Sequence, residues 1–134
     1  MKRNTKGFTL IELLAVIVVL AIIALIATPI VLNLITRARS GAAESSATAY
    51  VKGVENAVLV SMLDDVSGGN LTDTCTVAKK TVSCTGGKEF NVDVDGSVPD
   101  SGTITFVDGG ITTASFKNIN SFDVEYANGV STAQ

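Results

Sequence analysis

At 134 residues the chain has room for one small domain, and its 46% hydrophobic side chains are concentrated too heavily in the N-terminal third for an ordinary soluble core. Histidine is absent, which excludes His-dependent triads and the commonest zinc ligand, and two cysteines cannot make a four-thiolate metal site. The formal charge of −3 falls to −6 without Lys2, Arg3 and Lys6, leaving seven basic residues against thirteen acidic, so no specific nucleic acid partner is expected.

The chain opens with a basic head over residues 1–7, followed by an apolar run in which residues 13–27 carry no polar side chain. Extended to Leu32 the run is 20 residues, interrupted only by Thr28 and Pro29. At about 1.5 Å per helical residue it spans roughly the 30 Å hydrocarbon thickness of a bilayer. The pattern predicts one long helix over residues 8–63. Its first part, to residue 36, is apolar all round and suits lipid. The part over 37–63 is amphipathic, with Ala47, Tyr50, Val51, Val54, Val58 and Met62 recurring at steps of three and four. The basic pair Arg37 and Arg39 between them suits solvent or lipid headgroups. Asp64-Asp65 and Ser67-Gly68-Gly69-Asn70 end the helix, because glycines and short polar side chains favour turns.

Residues 64–134 form a small globular β domain. From Cys75 onward short alternating runs rich in Val, Thr, Ile and Phe predict half-buried strands. Phe90, Val92 and Val94 share one face, as do Ile104 with Phe106, and Phe122 with Val124 and Tyr126. Asp95-Gly96, Asp108-Gly109-Gly110 and residues 118–121 punctuate them. The expected fold is α+β: an antiparallel meander of about four strands, preceded by a cysteine hairpin, laid on the helical stripe that it needs in order to bury a core.

The N-terminal segment is not an ordinary secretory signal. Its apolar core is longer than the usual 7 to 15 residues and lacks an Ala-x-Ala cleavage site behind it. The small residue placed for a protease is Gly7, ahead of the apolar run, so a cut there removes the charged head and keeps the hydrophobic helix. The run Lys6-Gly7-Phe8-Thr9-Leu10-Ile11-Glu12 resembles the N-terminal motif of type IV prepilins and pseudopilins over about residues 2–36. The resemblance implies a type IV pilin fold, cleavage after Gly7 by a prepilin peptidase and N-methylation of Phe8. It also gives an assembly role to Glu12, the fifth residue after the cut, and a helix break at Pro29. No cofactor is implied.

Physical arguments bear on each of these residues. Lys2, Arg3 and Lys6, with the amino terminus, outnumber Arg37 and Arg39, which puts the head in the cytoplasm and the C-terminal domain outside. An acidic side chain among apolar ones costs about 2.5 to 3.5 kcal/mol at a membrane-helix centre and less near an end, so Glu12 needs a partner. One reading is a capping box, Thr9-x-x-Glu12. The other, implied by the resemblance, is a pair with the Phe8 amine of a neighbouring subunit in a low-dielectric filament core. Pro29 removes a backbone donor and releases the Leu25 carbonyl, reading either as a kink tolerated in membranes or as a place where the helix unwinds on assembly. Gly41 and Gly53 weaken the later helix by roughly 1 kcal/mol each, and either close packing or a hinge accounts for them.

A hairpin pairing Val77 with Val82 places Cys75 opposite Cys84, compatible with a disulfide in an exported domain. The alternative is two free thiols in a reducing compartment. Lys79-Lys80 is a poor tight-turn pair. Asp93, Asp95 and Asp100 faintly resemble a calcium loop, but an EF-hand needs more oxygen ligands, and an ordinary turn is favoured; no metal site is expected. The expected role is a structural subunit, not an enzyme. After processing it resides in the cytoplasmic membrane as a single-pass protein and polymerises, with identical or related subunits, into a cell-surface filament. Its partners are the peptidase, membrane lipid and, indirectly, an assembly platform and its ATPase. The alternatives are a pseudopilin of a type II secretion or DNA-uptake apparatus, and a signal-anchored binding module that stays monomeric.

Overall fold

A computed structural model describes residues 7–64 and 71–134. The basic residues Lys2, Arg3 and Lys6, and the turn expected over 65–70, lie outside the described residues. One helix, α1 (Leu10–Asp64), is followed by seven strands: β1 (Asp73–Ala78), β2 (Thr81–Cys84), β3 (Glu89–Asn91), β4 (Ser101–Val107), β5 (Gly110–Ile119), β6 (Phe122–Ala127) and β7 (Val130–Ala133). The chain divides into two compact units between Arg37 and Ala38.

In the first unit the helix is a bare apolar rod. Long side chains with no polar atom fill its surface, and they stay exposed: Leu13, Ile17, Leu20 and Leu25 each keep more than half of their surface accessible. Thr28 and Thr36 turn their hydroxyls back to the carbonyls of Ala24 and Leu32, at 2.6 and 3.1 Å, so their polar atoms are satisfied by the helix itself. α1 runs unbroken through Pro29.

In the second unit, α1 presents Ala43, Ala47, Tyr50, Val51, Val54 and Val58 as a fully buried stripe. Met62 is half-buried at its edge. The stripe packs on one antiparallel sheet of strand order β3-β2-β1-β4-β5-β6-β7. Alternation along each strand sends Cys75 and Val77, Val82 and Cys84, Ile104 and Phe106, Ala114 and Phe116, and Val124 and Tyr126 into the shared core, with Thr, Ser, Lys and Glu on the solvent side. The fold is thus α+β, in two layers.

The strand pattern differs from expectation in two places. The run over Phe90, Val92 and Val94 stays in the sheet only to Asn91, at the β3 edge. Val92 and Val94 then leave to pass over α1 at Gly53, where a Cβ would collide with Val94 and come within 3.0 Å of Val92 Cγ1. The meander that does form is β4-β5-β6-β7. Its last strand follows Asn128-Gly129, both at positive φ (52° and 86°), a hairpin signal visible in the sequence but not read there.

Gly53 is therefore a packing glycine, whereas Gly41 has nothing within 4 Å of its would-be Cβ. Alanine at the two sites is expected to act with opposite sign. Gly41→Ala should stabilise by about 0.5–1 kcal/mol through helix propensity, and Gly53→Ala should destabilise by about 1–3 kcal/mol through overpacking. Urea unfolding of the full chain in detergent micelles checks both.

The Lys79-Lys80 turn shows how the core supports a poor local choice. Lys79 takes a left-handed φ of 56°, which costs a non-glycine residue roughly 1–2 kcal/mol. Its carbonyl accepts a 2.7 Å hydrogen bond from the buried Tyr50 hydroxyl, and that bond offsets much of the cost. A contact from 29 residues away holds the hairpin tip.

Candidate functional site

The N-terminal motif straddles the start of α1, with residues 7–9 ahead of the helix. Gly7 and Phe8 precede the helix and are exposed, Phe8 to 83%. This leaves the Gly7–Phe8 peptide bond in non-helical backbone, the conformation a protease needs. Residue 8 is amide-linked to Gly7 in the uncut chain, so its nitrogen carries no charge until that bond is broken.

Helix initiation falls to Thr9 and Glu12. The Glu12 carboxylate accepts hydrogen bonds through Oε2 from the Thr9 backbone N–H at 2.9 Å and from the Thr9 hydroxyl at 2.8 Å. The Thr9 hydroxyl oxygen accepts in turn from the Glu12 N–H at 3.4 Å. This is a capping box, which satisfies donors that a helix start otherwise leaves unpaired and sets a carboxylate at the positive end of the helix. The other carboxylate oxygen, Oε1, takes part in none of these bonds, so the box leaves one acceptor for another donor. Gly7, Phe8, Thr9 and Glu12 thus bring together an exposed non-helical peptide bond, a capping box and a carboxylate with one oxygen outside that box.

Glu12 is surrounded by unpacked apolar surface, including Leu10, Ile11, Leu13 and Leu14, each more than half exposed. The helix they belong to is long and apolar enough to cross a membrane. A helix apolar all round must bury itself in lipid or against like helices. Pro29 lies on this rod with α1 intact around it.

In the second unit, Cys75 and Cys84 face each other across the β1–β2 hairpin, in the register that pairs Val77 with Val82, and their sulfurs are bonded. The disulfide lies against the core, with Cys75 fully buried. Closing this short loop contributes about 2.7 kcal/mol on the chain-entropy argument. The double variant Cys75→Ser, Cys84→Ser should lose about that much in urea, and the native chain should show no alkylatable thiol until a reductant is added.

Beside the hairpin, Asp73 accepts from the Gly86 N–H at 2.8 Å and the Thr74 N–H at 2.7 Å. The Gly86 bond, the largest cause, holds its carboxyl below the usual range. These bonds make Asp73 an anchor for the turn at Thr85 and Gly86. Asp100 is also spoken for, accepting from the Asn118 side-chain amide at 2.5 Å. Among the described residues no three of His, Cys, Asp and Glu converge on a point that could hold a metal ion.

Residues 2–28 match the family described as the prokaryotic N-terminal methylation motif. The match covers Gly7, Phe8, Thr9 and Glu12 and stops one residue short of Pro29. No curated protein and no solved structure matches the chain. The chain therefore carries a prokaryotic N-terminal methylation motif at the start of a helix long and apolar enough to cross a membrane, as pilin-like proteins do.

Proposed function

We propose that this chain is the precursor of a subunit of a type IV pilus or of a related pilus-like filament. The observation that carries the reading is the match to the methylation motif over residues 2–28, set at the start of a helix whose large apolar side chains from Phe8 to Ile35 stay exposed among the described residues. In this reading residues 1–7 are a leader held in the cytoplasm by Lys2, Arg3 and Lys6. A prepilin peptidase cuts between Gly7 and Phe8 and the new Phe8 amine is methylated. Residues 8–36 hold the product in the cytoplasmic membrane, with the domain formed by 37–63 and 64–134 outside. The helices of many copies then leave the lipid and pack together, while the sheets face outward on a cell-surface filament.

Cleavage creates a cation at Phe8 that the precursor lacks, and Glu12 is the only carboxylate in the apolar span. A methylated amine remains cationic, and Glu12 Oε1 is its natural acceptor on a neighbouring subunit. Pro29, whose missing N–H frees the Leu25 carbonyl, is where the helix would open during packing.

Intact mass of the protein extracted from membranes tests the processing step. The expected mass is that of residues 8–134 with one disulfide and one added methyl group; retention of residues 1–7 in assembled material would overturn the reading. Electron microscopy of sheared surface material tests polymerisation, since a monomeric anchored module leaves no filaments. A pilus, a secretion pseudopilus and a DNA-uptake filament share this subunit chemistry and differ in the motor ATPases encoded beside them.

A further inference from the structure

The turn between β5 and β6 folds against the start of the second unit's helical segment. Arg39, Ala42, Asn120 and Ser121 line an open cleft of about 530 Å³ there. The turn is held in shape by its own polar bonds. Asn118 donates from its backbone N–H to Asp123 Oδ1 at 3.1 Å, Ser97 donates to Asn120 Oδ1 at 2.6 Å, and Lys117 pairs with Asp123 at 2.6 Å. Asn118, Asn120 and Ser121 all take positive φ, between 52° and 74°.

These bonds decide which groups remain to meet a ligand. The two carboxylates of the turn region, Asp100 and Asp123, are already engaged by Asn118 and Lys117, and neither lines the cleft. The Asn120 amide uses its oxygen on Ser97, which leaves its N–H donors. Arg39 is exposed and has no carboxylate partner among the described residues. A guanidinium, an amide NH₂ and a hydroxyl around one opening form an acceptor-seeking set suited to a phosphate oxygen.

Connectivity supplies the ligand. Arg39 is only four residues along the chain from Ile35, the last apolar side chain before the basic pair, which keeps it within about 14 Å of that residue whatever the backbone conformation. If the apolar run spans the bilayer, Arg39 lies at the level of the phosphates bounding it. We propose that this cleft binds the phosphodiester of an anionic phospholipid at the outer end of the span, docking the β5–β6 turn on the membrane surface before assembly. The proposal rests on the membrane-spanning part of the functional reading and not on polymerisation.

Hydrogen exchange of the full chain in lipid nanodiscs tests it. Amides of residues 118–122 should exchange about fivefold more slowly in discs containing phosphatidylglycerol than in phosphatidylcholine alone, the gain expected of one cation at an anionic surface. Arg39→Gln should abolish the difference, whereas Arg37→Gln, whose side chain does not line the cleft, should retain most of it. Equal rates in the two lipids would overturn the proposal, as would equal loss in both variants, which reports diffuse attraction instead of a site. Protection by inorganic phosphate in detergent micelles would assign the cleft to a free anion. Protection that follows protein density and not lipid charge would assign it to a carboxylate of a second copy. Either result overturns the lipid assignment. Co-sedimentation with the discs is read separately: a chain that fails to insert overturns the spanning reading and this site together, while insertion with unchanged exchange overturns the site alone.

Discussion

Glu12→Leu is expected to leave cleavage after Gly7 intact and to abolish filament assembly. The residues flanking the scissile bond are unchanged by the substitution, and leucine makes the span more lipophilic, so insertion and processing should proceed. Assembly is different, because in the proposed processing cleavage precedes it and frees the Phe8 amine. Moving that cation into a low-dielectric bundle without an acceptor costs about 3–5 kcal/mol, the penalty for a buried charge deprived of its partner. Each subunit addition would weaken by roughly a hundredfold to several thousandfold.

Glu12 also closes the capping box with Thr9, so loss of assembly in the leucine variant alone would not separate charge from cap. Glu12→Gln does separate them, since glutamine serves a capping box but cannot neutralise an amine. The expected outcome for glutamine is a processed, membrane-resident chain without filaments, scored by immunoblot mobility and by electron microscopy of sheared material. Normal filaments from Glu12→Gln would show that the cap, and not the charge, is what assembly uses.

Phe116→Ala should produce the largest loss of stability in the second unit, about 3–5 kcal/mol. Phe116 is fully buried at the centre of the sheet, with its ring edge-on to Tyr50 at 5.4 Å and 77°. Opposite it on β4 stands Gly102, where a Cβ would meet Phe116 Cδ1 at 3.2 Å and overlap the Ser115 carbonyl. The ring fills the space that this glycine leaves, so truncation opens a cavity that the neighbouring strand cannot close. With a urea m-value of about 1.5–2 kcal/mol/M, the midpoint should fall by roughly 2 M. Val107→Ala, at an exposed position, should move it by no more than about 0.5 kcal/mol.

Tyr50→Phe keeps the ring contact and removes the bond to the Lys79 carbonyl, at a cost of about 1–2 kcal/mol. It also carries a pH signature. Burial pushes the Tyr50 phenol from 10.0 up to about 12. Because the folded value lies above the unfolded one, the Tyr50 contribution is complete below pH 10 and is lost as pH rises toward 12. The wild-type chain should lose stability over that window, and Tyr50→Phe should show a shallower alkaline slope.

The long helix and the α+β class were legible because each rests on a period. An apolar run without polar side chains must be taken out of water, in lipid or against other helices, and steps of three and four along Ala47, Tyr50, Val51, Val54 and Val58 leave a single face to bury. The strand runs were legible by alternation, but not where they leave the sheet. Nothing local to Val92 and Val94 says that they depart from it; that depends on an opening at Gly53, some forty residues earlier. β7 was missed for a different reason, since Asn128-Gly129 is a strong hairpin signal that the short run behind it did not reinforce.

By itself the sequence determined the order of features at the N terminus: a charged head, a glycine, a phenylalanine, one carboxylate and a membrane-length apolar run, all encoded in a single local stretch. Only the tertiary structure decided which glycine is a packing requirement, how a Lys-Lys turn is held at positive φ, and which cations and amides are left to face the β5–β6 cleft. Those outcomes depend on contacts between residues tens of positions apart, and a pattern of local periods carries no information about which distant side chain arrives.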